Sequence, residues 1–179
     1  MWFFIIVVLV IWVAAIFNGF VSLRNRSQEA WSDIDVQLKR RYNLIPNLVE
    51  TVKGYMQHES GVFEKVSEAR SRAMGAQNAK EKLEAENALS STLKTLFAVS
   101  ENYPELKASI NFLELQKELR DAEDKIQSAW RFYNSNVRDL NTKIESFPDN
   151  IIANLFNFKK MEMFEITVAA ERETPQVKF

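Results

Sequence analysis

The chain of 179 residues has no cysteine, one histidine, four glycines and four prolines, and it carries no charge before Arg24. Lacking cysteine, it has no disulfide, no thiolate zinc ligand and no thiol nucleophile. The lone histidine, His58, has no glutamate three positions before it. It cannot provide the two Glu-x-x-His motifs that a di-metal site in a helical bundle uses, and near the expected end of a helix it is a poor base for serine or threonine chemistry. Four glycines form no phosphate-cradling loop. A net charge of −1 offers nucleic acid no general attraction. With Gly and Pro scarce and 26% of residues charged, the composition favours long helices over turn-rich β structure. No metal, cofactor or catalytic set is expected.

What the chain does have is an apolar run from Trp2 to Leu23. As a helix it rises about 33 Å, enough to cross a hydrocarbon core of roughly 30 Å. A cleaved signal peptide has a basic start and an apolar stretch of about 7 to 15 residues. This run has no Lys or Arg before it and continues past Ala14 and Ala15, so it reads as a retained anchor. Arg24 and Arg26 follow immediately, and the positive-inside rule then places the N-terminus outside and the rest in the cytoplasm. The expected organisation is an anchor at 1–23, a helical domain at 24–164 and an extended tail at 165–179. The gap from Arg24 to Glu29 has no Gly or Pro, so span and domain are expected to form one rod.

Past the span, Ser27 is a candidate helix cap. Trp31, Ile34, Leu38, Ile45, Leu48, Val52 and Tyr55 recur at steps of 3, 4 and 7 as one apolar stripe that only Arg41 interrupts. Pro46 lies within it and predicts a kink or local break near residues 42–46. Further helices are expected over Val62–Gln77, Lys80–Asn102 and Ser109–Ser146, the last with an unbroken stripe from Phe112 to Phe147. The fold class is therefore all-α: a transmembrane helix, then an antiparallel up-down bundle of about four long helices with coiled-coil-like spacing, then a short C-terminal helix and the tail. The long first and fourth helices are expected to pair.

Several residues stand out within this plan. Aligning residue 27 with 147 brings Arg41 near residue 133, which predicts a buried polar layer of Arg41 with Asn134, Asn136 or Asp139. Lys39 and Arg40 lie about 24 Å of helix beyond the span, well past a Debye length of about 8 Å, and read as a solvated face. Ala15 and Gly19 form a small-x-x-x-small pair with Asn18 beside it, a candidate for self-association. Arg24, Arg26, Lys159 and Lys160 are candidate lipid-facing cations, the last two amid the apolar residues of 149–164, which pack on the bundle or lie at the interface.

The blocks Ala30-Trp31-Ser32-Asp33-Ile34-Asp35, Asn43-Leu44-Ile45-Pro46-Asn47-Leu48, Lys53-Gly54-Tyr55, Glu101-Asn102-Tyr103-Pro104-Glu105-Leu106, Phe132-Tyr133-Asn134, Phe147-Pro148 and Pro175-x-Val177-x-Phe179 occur in an order that resembles the LemA family of bacterial membrane proteins. The likeness runs over nearly the whole chain. It departs at Asn43, where the family often has an acid, at Met56, where a small residue is usual, and at Trp130, where a base is common. The resemblance implies one N-terminal span in the bacterial inner membrane, a cytoplasmic helical bundle, no established catalysis, and an association with membrane-bound metalloproteases and stress functions. The expected role is a membrane-anchored scaffold or adaptor that self-associates or binds another membrane protein. The alternative is a lipid-binding or membrane-remodelling device.

Overall fold

A computed structural model describes residues 1–164 of the chain, the side chain of Ala79 excepted; the tail expected at 165–179 lies outside the described residues. Among them are six helices: α1 (Trp2–Lys53), α2 (Ser60–Gly75), α3 (Ala79–Ser100), α4 (Pro104–Lys107), α5 (Ile110–Glu145) and α6 (Asp149–Leu155). The architecture is all-α, with one long apolar N-terminal helix followed by the others.

The 52 residues of α1 form one unbroken helix about 78 Å long, so the rod expected from the Arg24–Glu29 gap is present. Ser27 does not cap a new helix. It is buried mid-helix and its hydroxyl donates to the Leu23 carbonyl. The helix also runs through Pro46. Proline has no N–H to give the carbonyl four residues back, and that carbonyl belongs to Tyr42. Arg70 of α2 fills the gap, its Nε donating to the Tyr42 oxygen at 2.8 Å. A neighbouring helix thus satisfies the group that the expected break would have left to water.

Along α5 the buried residues include Phe112, Leu119, Ala122, Ile126, Tyr133, Asn136 and Leu140, as the stripe predicts, and also Trp130 and Val137, which it does not. The helix is capped by Ser109, whose side chain accepts from the Phe112 N–H. Likewise, Asn78 caps α3 through the Glu81 N–H at 2.9 Å.

α1 and α5 pack antiparallel along most of α5. Trp31 meets Trp130 with ring centroids 5.8 Å apart, and Arg40 reaches Asp121 at 2.9 Å. The expected register of 27 against 147 is therefore wrong by about three turns at Arg41, whose partner on α5 is Glu123. That register assumed the bundle starts where the apolar run ends; instead α5 continues beside the run itself. The groove between the two helices is filled at its distal end by the α2–α3 hairpin, which covers the core around Leu38, Ile45, Leu48, Val66, Leu89 and Leu96. Nearer the N-terminal run it is filled by α6 and the extended residues 158–164.

Two asparagines two turns apart on α5 hold that extended segment. Asn141 Oδ1 accepts from the Met161 N–H at 3.0 Å and its Nδ2 donates to the Met161 carbonyl at 2.8 Å. Asn134 does the same for Phe164, whose N–H lies 2.8 Å from Oδ1. Seven helical residues rise about 10.5 Å and three extended residues about 10 Å, so each amide meets one main-chain unit in step.

The arrangement at Pro46 makes Arg70→Met costly, by roughly 3 to 12 °C in melting temperature, the range for losing a charged hydrogen bond in a chain of this size. In a Pro46→Ala background the restored N–H serves the Tyr42 carbonyl and the cost shrinks. Thermal unfolding of the full chain in neutral detergent, followed by circular dichroism across the four variants, checks this; equal losses in both backgrounds contradict it.

Candidate functional site

Two clusters combine charge with unusual exposure or burial. The first is a collar where α1, α5 and α6 meet. Ile16, Phe20, Leu140, Ile152 and Ala153 form a small core there, separate from that of the bundle. Around it Phe17 lies 4.9 Å from Phe156 and 5.5 Å from Phe158, and Phe20 stacks on Phe158 at 4.8 Å. The last two turns of the apolar run are thus already packed by the rest of the chain. On its outer surface the collar exposes Phe147 (80%), Ile151 (56%), Leu155 (72%) and Phe156 (47%). The apolar side chains of residues 1–12 of the run are exposed as well, so run and collar both present apolar surface. A soluble domain rarely shows water a patch of this kind.

Lys143 completes the collar. Its ammonium lies against Gly19 and 5.2 Å from the centre of the Phe20 ring. A Cβ at position 19 would collide with it. Gly19 is thus covered by the end of a lysine of its own chain, whereas Ala15 and Asn18 are exposed. Arg24 and Arg26 are exposed on the turns that follow, Arg24 with its guanidinium 5.8 Å from the Phe158 ring centre. Lys159 is exposed beside them, and Lys160 pairs with Glu145.

The second cluster surrounds Arg41, 1% exposed at the junction of α1, α3 and α5. Its guanidinium donates to Glu86, 4% exposed, to Glu123, and to Ser90 Oγ at 2.9 Å. The Tyr42 hydroxyl donates to Glu86 as well. Burial pulls the Arg41 guanidinium below its ordinary value, against the opposing pull of Glu123. Burial likewise pushes the Tyr42 phenol up, against the pull of Arg41. The polar layer expected from Asn134, Asn136 and Asp139 does not form. Asn134 holds Phe164, Asn136 donates to the Phe132 carbonyl at 2.8 Å, and Asp139 is exposed, because the register puts all three below Arg41.

Glu86 was legible as an acid three positions before Leu89 on the apolar face of α3, and Glu123 as one between Leu119 and Ile126. The register of 27 against 147 turns Arg41 away from Glu123, and pairing α1 with α5 alone leaves Glu86 of α3 out. A cavity of about 480 Å³ opens beside Arg41 between α3 and α5, walled by Leu93, Phe97, Phe112 and Leu119. With two carboxylates already on the guanidinium, the cavity draws no unmatched charge from it. Among the described residues no group of three or more His, Asp or Glu is placed to hold a metal ion.

The family model for the LemA family matches residues 30–179. Magnetosome protein MamQ of Magnetospirillum gryphiswaldense is 24% identical, over 90% of this chain and 70% of its own length. Magnetosome protein MamQ 2 of Paramagnetospirillum magneticum is 25% identical with the same coverage. Protein LemA of Metamycoplasma hominis is 27% identical over 89% of this chain and 71% of its own.

Removing one member of the Arg41 cluster strands a buried charge. Arg41→Met, which leaves Glu86 without its counter-charge, is expected to cost about 3 to 5 kcal/mol, and adding Glu86→Leu is expected to recover a large part of it. Unfolding of both variants in detergent measures the difference; a double variant no more stable than the single one contradicts the account.

Proposed function

The chain belongs to the LemA family, and we propose that it works as a membrane-anchored scaffold, whose helical bundle is presented at a fixed attitude to a second copy or to another membrane protein. The observation that supports this most directly is α1, one helix that begins as an apolar run with exposed side chains and ends as the central strut of the bundle core. No flexible linker separates anchor from domain. In this reading the run spans the inner membrane once, Arg24 and Arg26 hold its end on the cytoplasmic side, and the bundle stands in the cytoplasm. The collar sits in the bilayer surface, because Phe147, Ile151 and Leu155 lie beside residues that belong to the apolar run, and lipid is the solvent that suits them.

Ala15 and Asn18, left open on the span, are the positions through which copies meet. An asparagine there hydrogen-bonds across an interface at the edge of the hydrocarbon, where no water competes fully for it.

Because the natural chain has no cysteine, single introduced thiols report without background. Ser128→Cys, exposed on α5, is expected to react with an impermeant maleimide in inverted inner-membrane vesicles and not in intact spheroplasts. Ala15→Cys is expected to give a disulfide-linked dimer in native membranes under mild oxidation. Labelling of Ser128→Cys from outside overturns the topology, and a monomeric Ala15→Cys chain overturns self-association through the span.

A further inference from the structure

Between α1 and residues 156–161 lies a cleft of about 450 Å³ at the level where the apolar run gives way to charge. Its walls are Phe17, Val21, Leu140, Phe156 and Phe158, and its polar rim is Arg24, Lys159, Gln28 and Asn157. Among the described residues no acidic side chain lines it. The cations around it are not equivalent. Lys160 is paired with Glu145, whereas Arg24 and Lys159 have no carboxylate within ion-pair reach among the described residues. Arg26 is not among the lining residues. The Phe158 ring holds the Arg24 guanidinium at the cleft mouth, 5.8 Å from its centre.

We propose that this cleft is a site for an anionic phospholipid, whose phosphate is held between Arg24 and Lys159 while an acyl chain follows Phe17 and Phe156 into the bilayer. The proposal rests on the membrane placement given above and adds the ligand class. A forked guanidinium matches phosphate oxygens, and a lysine adds a second point charge. Arg24 directly follows Leu23, the last apolar residue of the run, so its head lies at the depth of lipid phosphates. The volume accommodates a headgroup and the first part of the chains, and the aromatic walls favour a lipid over a free anion.

The test uses full-length protein in a neutral detergent, titrated with short-chain phosphatidylglycerol, short-chain phosphatidylcholine or inorganic phosphate while melting temperature is followed. Phosphatidylglycerol is expected to raise it saturably, and the other two are not. Arg24→Gln with Lys159→Gln is expected to weaken the apparent affinity about 30-fold, from about 1 kcal/mol per basic residue near an anionic surface. Arg26→Gln with Lys160→Gln, which leaves the cleft cations in place, is expected to change it little. Equal stabilisation by phosphatidylcholine, an equal response to inorganic phosphate, or equal losses in the two double variants overturns the site. Carbonate extraction of the chain from native membranes separates the two failures. A chain released by carbonate defeats the membrane placement, while a retained chain without lipid selectivity defeats only this site.

Discussion

The seam between α1 and α5 sets the position of everything else. As α1 advances from Phe20 through Trp31 to Arg41, α5 retreats from Lys143 through Trp130 to Glu123. Two helices of equal rise can keep such a register only if they stay nearly parallel in axis and their side chains interdigitate along the whole length. At one end this leaves a groove long enough for the α2–α3 hairpin. At the other it carries α5 past the first charged residue of the chain, so that the turn after it must fold back beside apolar helix. The collar follows from the register and from no separate instruction.

Arg41 is the part of the seam least explained by stability. Burying a guanidinium and a carboxylate costs several kcal/mol per ion before their attraction offsets it, and apolar replacements are often as stable. Its value lies in being matched at one setting only. A slip of one turn on α5 would put the guanidinium against Leu119 or Ile126, and a slip on α3 would set it against Leu89. Apolar side chains tolerate such slips, since Leu packs on Ile nearly as well as on Val. A charge with partners on two other helices does not. The amide clamps from Asn134 and Asn141 act on the same logic for the extended segment, because each one satisfies both polar groups of a single main-chain residue.

The long helices, their order and the α1–α5 partnership were legible because they depend on the 3.6-residue period, which a single chain displays in full; the one-turn α4 has no such period to show. The register was not. It depends on how far α5 reaches, and the sequence marks only the end of α5, at Phe147-Pro148, without saying against which residue of α1 that end falls. Taking the charge boundary at Arg24 as the packing boundary shifted Arg41 away from Glu123 and toward Asn134. The continuity of α1 through Pro46 was hidden for a related reason: the group that compensates the proline is Arg70, 28 positions along the chain from the Tyr42 carbonyl it serves. The exposure of Phe147 was hidden too, since its place on the periodic stripe of α5 predicts burial, and the helix ends two residues before it at Glu145.

A single helix crossing a bilayer can tilt and spin about its axis, and a domain joined to it by a loose linker would keep no orientation at all. Here the helix enters the domain without a break and the collar lies to one side of it, so the apolar surface is asymmetric about the axis. With the collar in lipid, tilting α1 one way would lift Phe147, Ile151 and Leu155 out of the interface and tilting it the other way would press Arg24 and Lys159 into the hydrocarbon, and either is opposed by solvation. In the proposed placement the same end of the bundle then faces the membrane in every copy. Copies confined to one plane with one face down have lost most of the orientations in which two bundles could meet, so a weak and specific contact between them becomes enough to order an assembly.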